Sequence, residues 1–341
     1  MNARKAGSST AIVENPHAGL KSVRTQSGDT PVDESLFSAC ACVIVTHNPE
    51  LSTFDRQIKA LLPQVGNIII ADNNSGPQCS DYLAELARQT SAITVIFLKE
   101  NAGIARAQNL GAAAVERLGK RYVLFLDHDS IPGPDLVSGL YEAAEGLRKK
   151  GVRLGAVGAR LVDPRSGREN GFYSMRGWRW RRVYCASRRK GLLNCDYLNS
   201  SGSFVPVDVW KDVGPFDERF FIDHVDTDWF MRAKAKGYKC YGLCSGGLEH
   251  YMGDDVIRYW LFGWRYMPRR SPLRHYYIVR NSLWLYRRAY VPLAWKVNNA
   301  VKLLFTLVYF PLFDVERGRQ FKMILRGLWD GIRGRARDLP S

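Results

Sequence analysis

The sequence predicts an α/β fold: a mostly parallel sheet flanked by helices, followed by a helical C-terminal extension. Three observations predict it. Short apolar runs of strand type recur at 39–46, 67–72, 93–98 and 121–127. Segments with helical apolar spacing separate them. Each run stops at turn-forming or acidic residues, such as His47-Asn48-Pro49 and Asp127-His128-Asp129. Strands alternating with helices of this length build βαβ units and a parallel sheet.

Residues 1 to about 36 are rich in Ser, Thr, Gly, Asn and Lys, so a tail without stable structure is expected. The run through Cys40, Cys42 and Ile44 to Thr46 is continuously apolar, which marks a strand buried on both faces. Leu51, Phe54, Ile58, Leu61 and Leu62 then follow helical spacing. The second strand, ending at Asp72, is cut by Asn73-Asn74-Ser75-Gly76-Pro77. A short helix near 80–88 leads to the third strand at 93–98, and Asn101-Ala102-Gly103 opens a helix reaching Leu118. The fourth strand ends at Asp127, and Pro132-Gly133-Pro134 bars its continuation. A helix at 135–149 and a strand at 154–161 come next. The segment 163–190 is Arg-rich, with Trp178 and Trp180 between the arginines, and reads as a solvated loop or a flap over an anionic ligand. Asn199 to Pro206 is a sharp turn feeding another strand. A helix opens near Asp226 and stops at Gly237, and Cys240–Cys244 is a further strand.

Ligands of open α/β sheets gather beyond the carboxyl ends of the strands, where Asp127 and Asp129 stand. Residues two apart in an extended segment point the same way, so these carboxylates can share a hard cation such as Mg²⁺ or Mn²⁺, which in turn can hold a diphosphate. Capping of a polar turn is the plain alternative. Asp72 ends another strand and is expected to meet Asp127 at one sheet edge. A second acidic cluster, Asp223, Asp226 and Asp228, precedes Trp229 where a helix starts. N-capping is its ordinary role, and general-base chemistry is the functional one. With a carboxylate pKa of about 3.9, Asp226 needs no tuning to be ionised at neutral pH. His250 follows a strand of the same sheet and can complete an Asp-plus-His metal site. No Gly-x-Gly-x-x-Gly follows the first strand, so a dinucleotide-binding reading is weak.

The net charge is +16, and residues 251–341 alone hold 17 Lys/Arg against 6 Asp/Glu. Such a bias implies an anionic partner. The seven cysteines are scattered without a Cys-x-x-Cys pair, which predicts reduced core thiols. The N-terminus lacks the apolar core of a secretory signal, so a cytoplasmic location is expected. The run Val301–Leu312 is the most apolar in the chain but shorter than the ~20 residues that span a bilayer. It reads as a helix bracketed by Pro292 and Pro311, lying in the interface of an anionic membrane or packed on the domain.

Taken together, Val43-Ile-Val-Thr-His-Asn-Pro49, Ile69-Ile-Ala-Asp-Asn-Asn-Ser75, Asn101-Ala-Gly-Ile-Ala-Arg-Ala-Gln-Asn109, Phe125-Leu-Asp-His-Asp-Ser130, Asp226-Thr-Asp-Trp-Phe-Met-Arg232 and His250 stand in the order seen in family-two glycosyltransferases. Asp-x-Asp-Ser and Tyr276-Tyr-Ile-Val-Arg-Asn281 resemble the rhamnosyltransferase branch, which more often has Gln at the place of His128. The resemblance covers roughly residues 39–285. It implies a GT-A fold, a nucleoside-diphosphate sugar donor, most simply dTDP-rhamnose, a divalent metal (Mg²⁺ or Mn²⁺) and inversion at the anomeric carbon. With the composition and charge readings above, the chain is expected to divide into a disordered tail at 1–36, a catalytic domain at 37–250 and a membrane-associating helical region at 251–341. Residue by residue, the resemblance implies that Thr46, Asn48, Asp72, Asn101, Arg106 and Asp127 bind the donor nucleotide. Asp127, Asp129 and His250 would hold the metal, and Asp226 would be the base. Asp228, Trp229 and Arg280 would support it or the acceptor.

The expected partners are therefore the sugar donor, a glycan or glycolipid acceptor and the anionic inner face of the cell membrane. A basic nucleic-acid-binding protein would fit the charge but leaves both acidic clusters unexplained. A sugar nucleotidylyltransferase should carry a Gly-rich, Arg-containing loop after the first strand, where this chain has His47-Asn48-Pro49-Glu50.

Overall fold

The computed structural model describes residues 11–13, 34–185, 191–250, 256–260 and 264–336. Within the tail expected to lack structure, β1 (Ala11–Val13) pairs antiparallel with a sheet edge, and α1 (Glu34–Ala39) leads into the first core strand. Residues 1–10 and 14–33 lie outside the described residues.

The chain continues as β2 (Cys40–Thr46), α2 (Leu51–Leu61), β3 (Ile68–Asp72), α3 (Pro77–Gln89), β4 (Ile93–Phe97), α4 (Gly103–Arg117) and β5 (Tyr122–Asp127). Next come β6 (Ser130–Pro132), α5 (Leu136–Lys149), β7 (Leu154–Val162), β8 (Phe172–Arg176), β9 (Arg179–Val183), β10 (Leu192–Cys195), β11 (Ser203–Pro206), α6 (Val207–Val213), α7 (Val225–Ala235) and β12 (Lys239–His250). The hairpin β13 (Val256–Trp260) and β14 (Trp264–Pro268) precedes α8 (Pro272–Tyr286), α9 (Leu293–Phe313) and α10 (Arg317–Arg333).

The main sheet runs β1-β4-β3-β2-β5-β11-β7-β12-β10, with β6 beside β12. Strands β4, β3, β2 and β5 are parallel, while β11 is inserted antiparallel between β5 and β7. The all-apolar β2 explains its central place. Ala41 and Val43 pack with α4, α6 and α7 on one face, and Cys40, Cys42 and Ile44 with α2, α3 and α5 on the other. Every residue of β2 is buried.

Three expectations change. The Arg-rich stretch is not an open loop: β8 and β9 form an antiparallel hairpin, while residues 186–190 lie outside the described residues. Phe172 of this hairpin sits against β12 so closely that a Cβ at Gly242 would lie 2.4 Å from its ring. Cys185 and Cys244 are disulfide-bonded, Cα atoms 5.5 Å apart, so these two thiols are not free. Their separation of 59 residues hides a proximity that only the packing of the hairpin against β12 creates. Pro311 lies inside α9 rather than ending it, and the helix stops two residues later at Phe313.

The C-terminal helices are packed on the domain. A Cβ at Gly327 of α10 would lie 2.7 Å from Tyr276 O of α8, so the two helices touch backbone to backbone. Asp330 accepts from Tyr276 Oη at 3.0 Å across the same contact. Among the described residues, no helix is long and apolar enough to cross a membrane.

Candidate active site

β5 ends at Asp127, and the chain then turns through His128 and Asp129 before re-entering the sheet as β6. Turn geometry, not the side-chain alternation of an extended strand, therefore brings the two carboxylates together. The antiparallel register of β6 with β12 sets His250 opposite Ser130. His250 is the last residue of its strand, and Asp127, Asp129 and His250 offer ligand atoms all within 4.8 Å of one another.

The surrounding bonds hold this triad in shape. Gln57 donates from Nε2 to the carbonyls of Asp127 and Ser130, each at 2.7 Å, and so fixes both ends of the turn. Ser130 Oγ lies 2.8 Å from His250 Nδ1 and 2.9 Å from Ser201 Oγ. Asp127 Oδ1 is buried without a hydrogen-bond partner, an arrangement that costs free energy unless a cation takes it up. Burial raises the Asp127 pKa against the pull of His250. At Asp129 burial is again the largest influence, but the bond to His250 and the charges of His250 and His128 together outweigh it, and the pKa falls. Two carboxylates and an imidazole, one oxygen orphaned, suit a divalent metal.

Asp72 does not join the triad. β2 stands between β3 and β5, so one strand separates Asp72 from Asp127. Asp72 is buried and organises the neighbouring loops: Thr46 Oγ1 donates to it at 2.8 Å, Ser75 N at 3.0 Å and Ser75 Oγ at 2.5 Å. Asn48 Oδ1 accepts Gly76 N at 2.7 Å, and Asn73 Nδ2 donates to Asn101 Oδ1 at 2.7 Å. These loops form a contiguous polar rim at the carboxyl ends of β2, β3 and β4. Arg106 extends from α4 toward Glu218, 3.5 Å away.

Asp226 stands in the first turn of α7, where its Oδ1 accepts Thr227 N at 2.7 Å. The backbone of Ser200 also acts on this carboxyl, lowering its pKa against burial. Ser201, the next residue, accepts at Oγ from Asp127 N at 3.1 Å. One turn between β10 and β11 thus touches both acidic clusters. Burial pushes the Asp226 pKa up to about 6, so the side chain is tuned after all, yet remains mostly ionised at neutral pH.

Residues 41–203 match the family described as glycosyl transferase family 2. The chain is 29% identical over 308 residues to dTDP-rhamnosyl transferase RfbF of Shigella flexneri, covering 86% of this chain and 95% of that protein. Residues 41–203 of this chain form a family 2 glycosyltransferase domain. Two solved structures share its fold. GalNAc-T7, crystallised with UDP, GalNAc and Mn²⁺, matches at a TM-score of 0.51 and 14% identity over 86% of this chain. The chain spans 56% of the length of GalNAc-T7. Residues 1-349 of TarS from S. aureus, in complex with UDP-GlcNAc, match at 0.51 and 16% over 86% of this chain and 81% of that one. The fold is GT-A.

Three further side chains were expected to support Asp226 or the acceptor. Asp228 is buried and turned from Asp226, bonded to Arg232 Nε at 2.9 Å and to Tyr290 Oη. Trp229 is buried in the core, stacks on Trp210 at 5.5 Å and donates to Gly214 O at 2.8 Å. Arg280 is fully buried, its guanidinium 4.7 Å from the Tyr277 ring centroid and 4.5 Å from that of Trp284. It donates to the carbonyls of Arg219 and Phe220 at 2.8 and 3.1 Å. Asn281 Nδ2 adds contacts to Phe220 O, Ile222 O and Asp223 O at 2.8–2.9 Å.

These bonds hold a strained segment. Phe221, Asp223 and His224 all have φ near +62°, a region that costs an L-residue energy unless its surroundings impose it. At the other end of the segment, Gly103 has φ +82° and approaches Phe221 so closely that a Cβ would lie 2.6 Å from Phe221 O. Asp223 receives both ends of the Arg274 fork at 2.6 and 2.7 Å. The Asp223–Asp226 cluster is therefore positioned by α8, 50 residues downstream.

Sequence reasoning missed Gln57, Ser130, Ser201 and Asn281. Ser130 and Asn281 lay inside motifs already singled out. Gln57 gave a weaker signal: a polar residue three after Phe54 and four before Leu61, on the apolar face of α2, where the structure buries it fully.

Proposed function

We propose that this glycosyltransferase transfers rhamnose from dTDP-rhamnose, with inversion, to a hydroxyl of a cell-surface polysaccharide or lipid-linked glycan. One observation carries the reaction centre: the turn at Ser200 and Ser201 serves both acidic groups, Ser201 Oγ accepting from Asp127 N at 3.1 Å and the Ser200 backbone lowering the pKa of the base Asp226. The donor follows from the similarity to a dTDP-rhamnosyl transferase over nearly the whole of that protein.

Asp127, Asp129 and His250 would hold Mg²⁺ or Mn²⁺, as the acidic triad and the Mn²⁺ of the GalNAc-T7 structure support. Bound there, the ion neutralises charge on the departing diphosphate as a Lewis acid. The rim of Thr46, Asn48, Asp72, Asn101 and Arg106 receives the nucleotide. Asp226 takes the proton of the acceptor hydroxyl as the new bond to the anomeric carbon forms and the diphosphate leaves on the opposite face.

The same reading sets the enzyme on the cytoplasmic face of the membrane. Val297, Val301, Leu304 and Val308 of α9 are 48–66% exposed, and recur every three or four residues along one side of the helix. Phe321, Leu325 and Trp329 of α10 repeat the pattern beside Lys322, Arg326 and Arg333. An apolar stripe bordered by basic residues suits an anionic bilayer surface.

The test is transfer and slow hydrolysis across dTDP- and UDP-sugars, with and without chelator. Turnover of dTDP-rhamnose that requires added divalent ion is expected. A preference for a UDP-sugar would replace the donor, and full activity in excess chelator would remove the metal.

A further inference from the structure

A cavity of about 330 Å³ opens beside Asp226, with walls from three separate elements. The hairpin side supplies aromatic rings in mutual contact. Tyr173 and Tyr197 stack at 4.5 Å and 7°, and Trp180 lies on Tyr197 at 5.2 Å and 22°. The opposite wall is α9, which presents the side-chain amides of Asn298 and Asn299. The floor is the start of α7 with Asp226 itself.

We propose that this cavity is the acceptor subsite and that it takes a single pyranose ring. The ring's apolar C–H face would lie on the Tyr173–Tyr197–Trp180 wall, and its hydroxyls would reach the α9 amides and Asp226. The proposal rests on Asp226 being the base, but the choice of ligand class comes from the walls. A pyranose has an apolar face and a belt of hydroxyls, each both donor and acceptor. Aromatic rings match the face with little entropy to lose. With Asn298 Nδ2 already donating to Trp178 O and Ala294 O, and Asn299 Nδ2 to Ser282 Oγ, the two amides offer chiefly acceptor oxygens to the belt, and Lys302 on the same wall supplies donors. The volume is at the small end of ligand pockets, which suits a ring rather than a peptide strand.

The walls are held rigid, as a specific subsite requires. Asp196 accepts Met175 N and pairs with Lys234, which anchors β8 to α7. Arg182 donates to Tyr173 Oη at 2.7 Å. Asn298 Nδ2 reaches Trp178 O at 3.2 Å and so ties the tip of the hairpin to α9. The disulfide of Cys185 with Cys244 fixes the hairpin's other end to β12. The faces of α9 divide the work: Asn298, Asn299 and Thr306 line the cavity, whereas Val297, Val301 and Leu304 face out.

Saturation-transfer NMR on the full chain tests this, using p-nitrophenyl glycosides of common pyranoses at millimolar concentration with dTDP and Mn²⁺ in the same sample. At least one glycoside should receive saturation at its ring C–H protons. Trp180→Ala and Asn298→Ala, on separate elements, should each weaken that contact about tenfold, while dTDP binding stays as in the unaltered protein. Trp180→Phe should restore much of it. Binding of dTDP with no glycoside contact, or glycoside affinity unchanged in both alanine variants, overturns the proposal. Glycoside contact without dTDP binding supports the cavity and counts instead against the donor reading. If one variant fails to fold, the other decides.

Discussion

Ser130 Oγ lies 2.8 Å from His250 Nδ1, although 120 residues separate the two in the chain. The contact exists because β6 and β12 pair in the register that sets Ser130 opposite His250. It orients the imidazole that closes the acidic triad, and Gln57 and Ser201 hold the serine's own surroundings.

Ser130→Ala should therefore leave the three ligands present but loosen one of them. Partners of this kind are typically worth 10–100-fold in metal affinity. Titration of activity with Mn²⁺ should show a half-maximal concentration raised by about that factor, with turnover approaching normal at saturation. An unchanged metal dependence would show that the hydroxyl does not orient His250.

How much of this was legible beforehand depended on range. β2 to β5 and the helices between them were readable because each is written in a local apolar pattern, and the observed bounds fall within a few residues of the expected ones. The acidic ends were visible for the same reason. What was hidden depended on pairing between distant segments. Cys185 and Cys244 gave no spacing clue, and Trp180 became a cavity wall only when its hairpin met Tyr197. Asp72 was expected beside Asp127, but strand order is not written in the strands themselves, and β2 intervenes. The ordinary carboxylate pKa assumed for Asp226 failed because burial is a property of the folded neighbourhood.

A second prediction concerns Arg280. Its fork donates to two carbonyls of the segment that carries Asp223, and its charge is covered by aromatic rings. Lysine keeps the charge but loses the planar fork. Arg280→Lys should cost roughly 1–3 kcal/mol of stability, since the Arg219 carbonyl loses its donor while Asn281 still serves Phe220 O. It should also lower kcat, while affinity for the donor nucleotide, held at β2 to β4, stays the same. A thermal melt alongside calorimetry with dTDP would separate these effects, and loss of donor binding in a folded variant would show that the two halves of the site are not independent.

The membrane reading has its own test. Removing α9 and α10 would strip a cavity wall and uncover α8 at the Gly327 contact, so truncation cannot isolate attachment. Val301→Glu with Leu304→Glu changes only the outward face of α9, where both side chains are more than 60% exposed. Binding to anionic liposomes should weaken at least tenfold while the melting temperature shifts by little. Each basic residue near the surface adds about 1 kcal/mol that salt screens, whereas the apolar part resists salt. Attachment by the double variant at undiminished strength would assign it to another surface.

The last prediction follows from the raised pKa of Asp226. Burial lifts its carboxyl from the ordinary range to about 6, opposed by the hydrogen bond from Thr227 N and by the Ser200 backbone. A base acts only when ionised, so kcat/KM should rise with pH through about 6 and level off above it. Asp226→Asn should bind dTDP normally, lose roughly 10²–10⁴ in turnover and lose the limb near pH 6. Stability runs the other way. Between about pH 4 and pH 6 the folded protein keeps a proton here that the unfolded chain releases, so this group's contribution to stability falls as pH rises through that window. At neutral pH the cost of the buried charge is fully present. Asparagine carries no such charge, so Asp226→Asn should melt higher than the unaltered enzyme at pH 7.5, with the advantage shrinking toward pH 4. Melting curves at the two pH values check the sign. A variant that is inactive yet gains nothing at pH 7.5 would show that Asp226 is not held in the buried, charged state from which its role as base is argued.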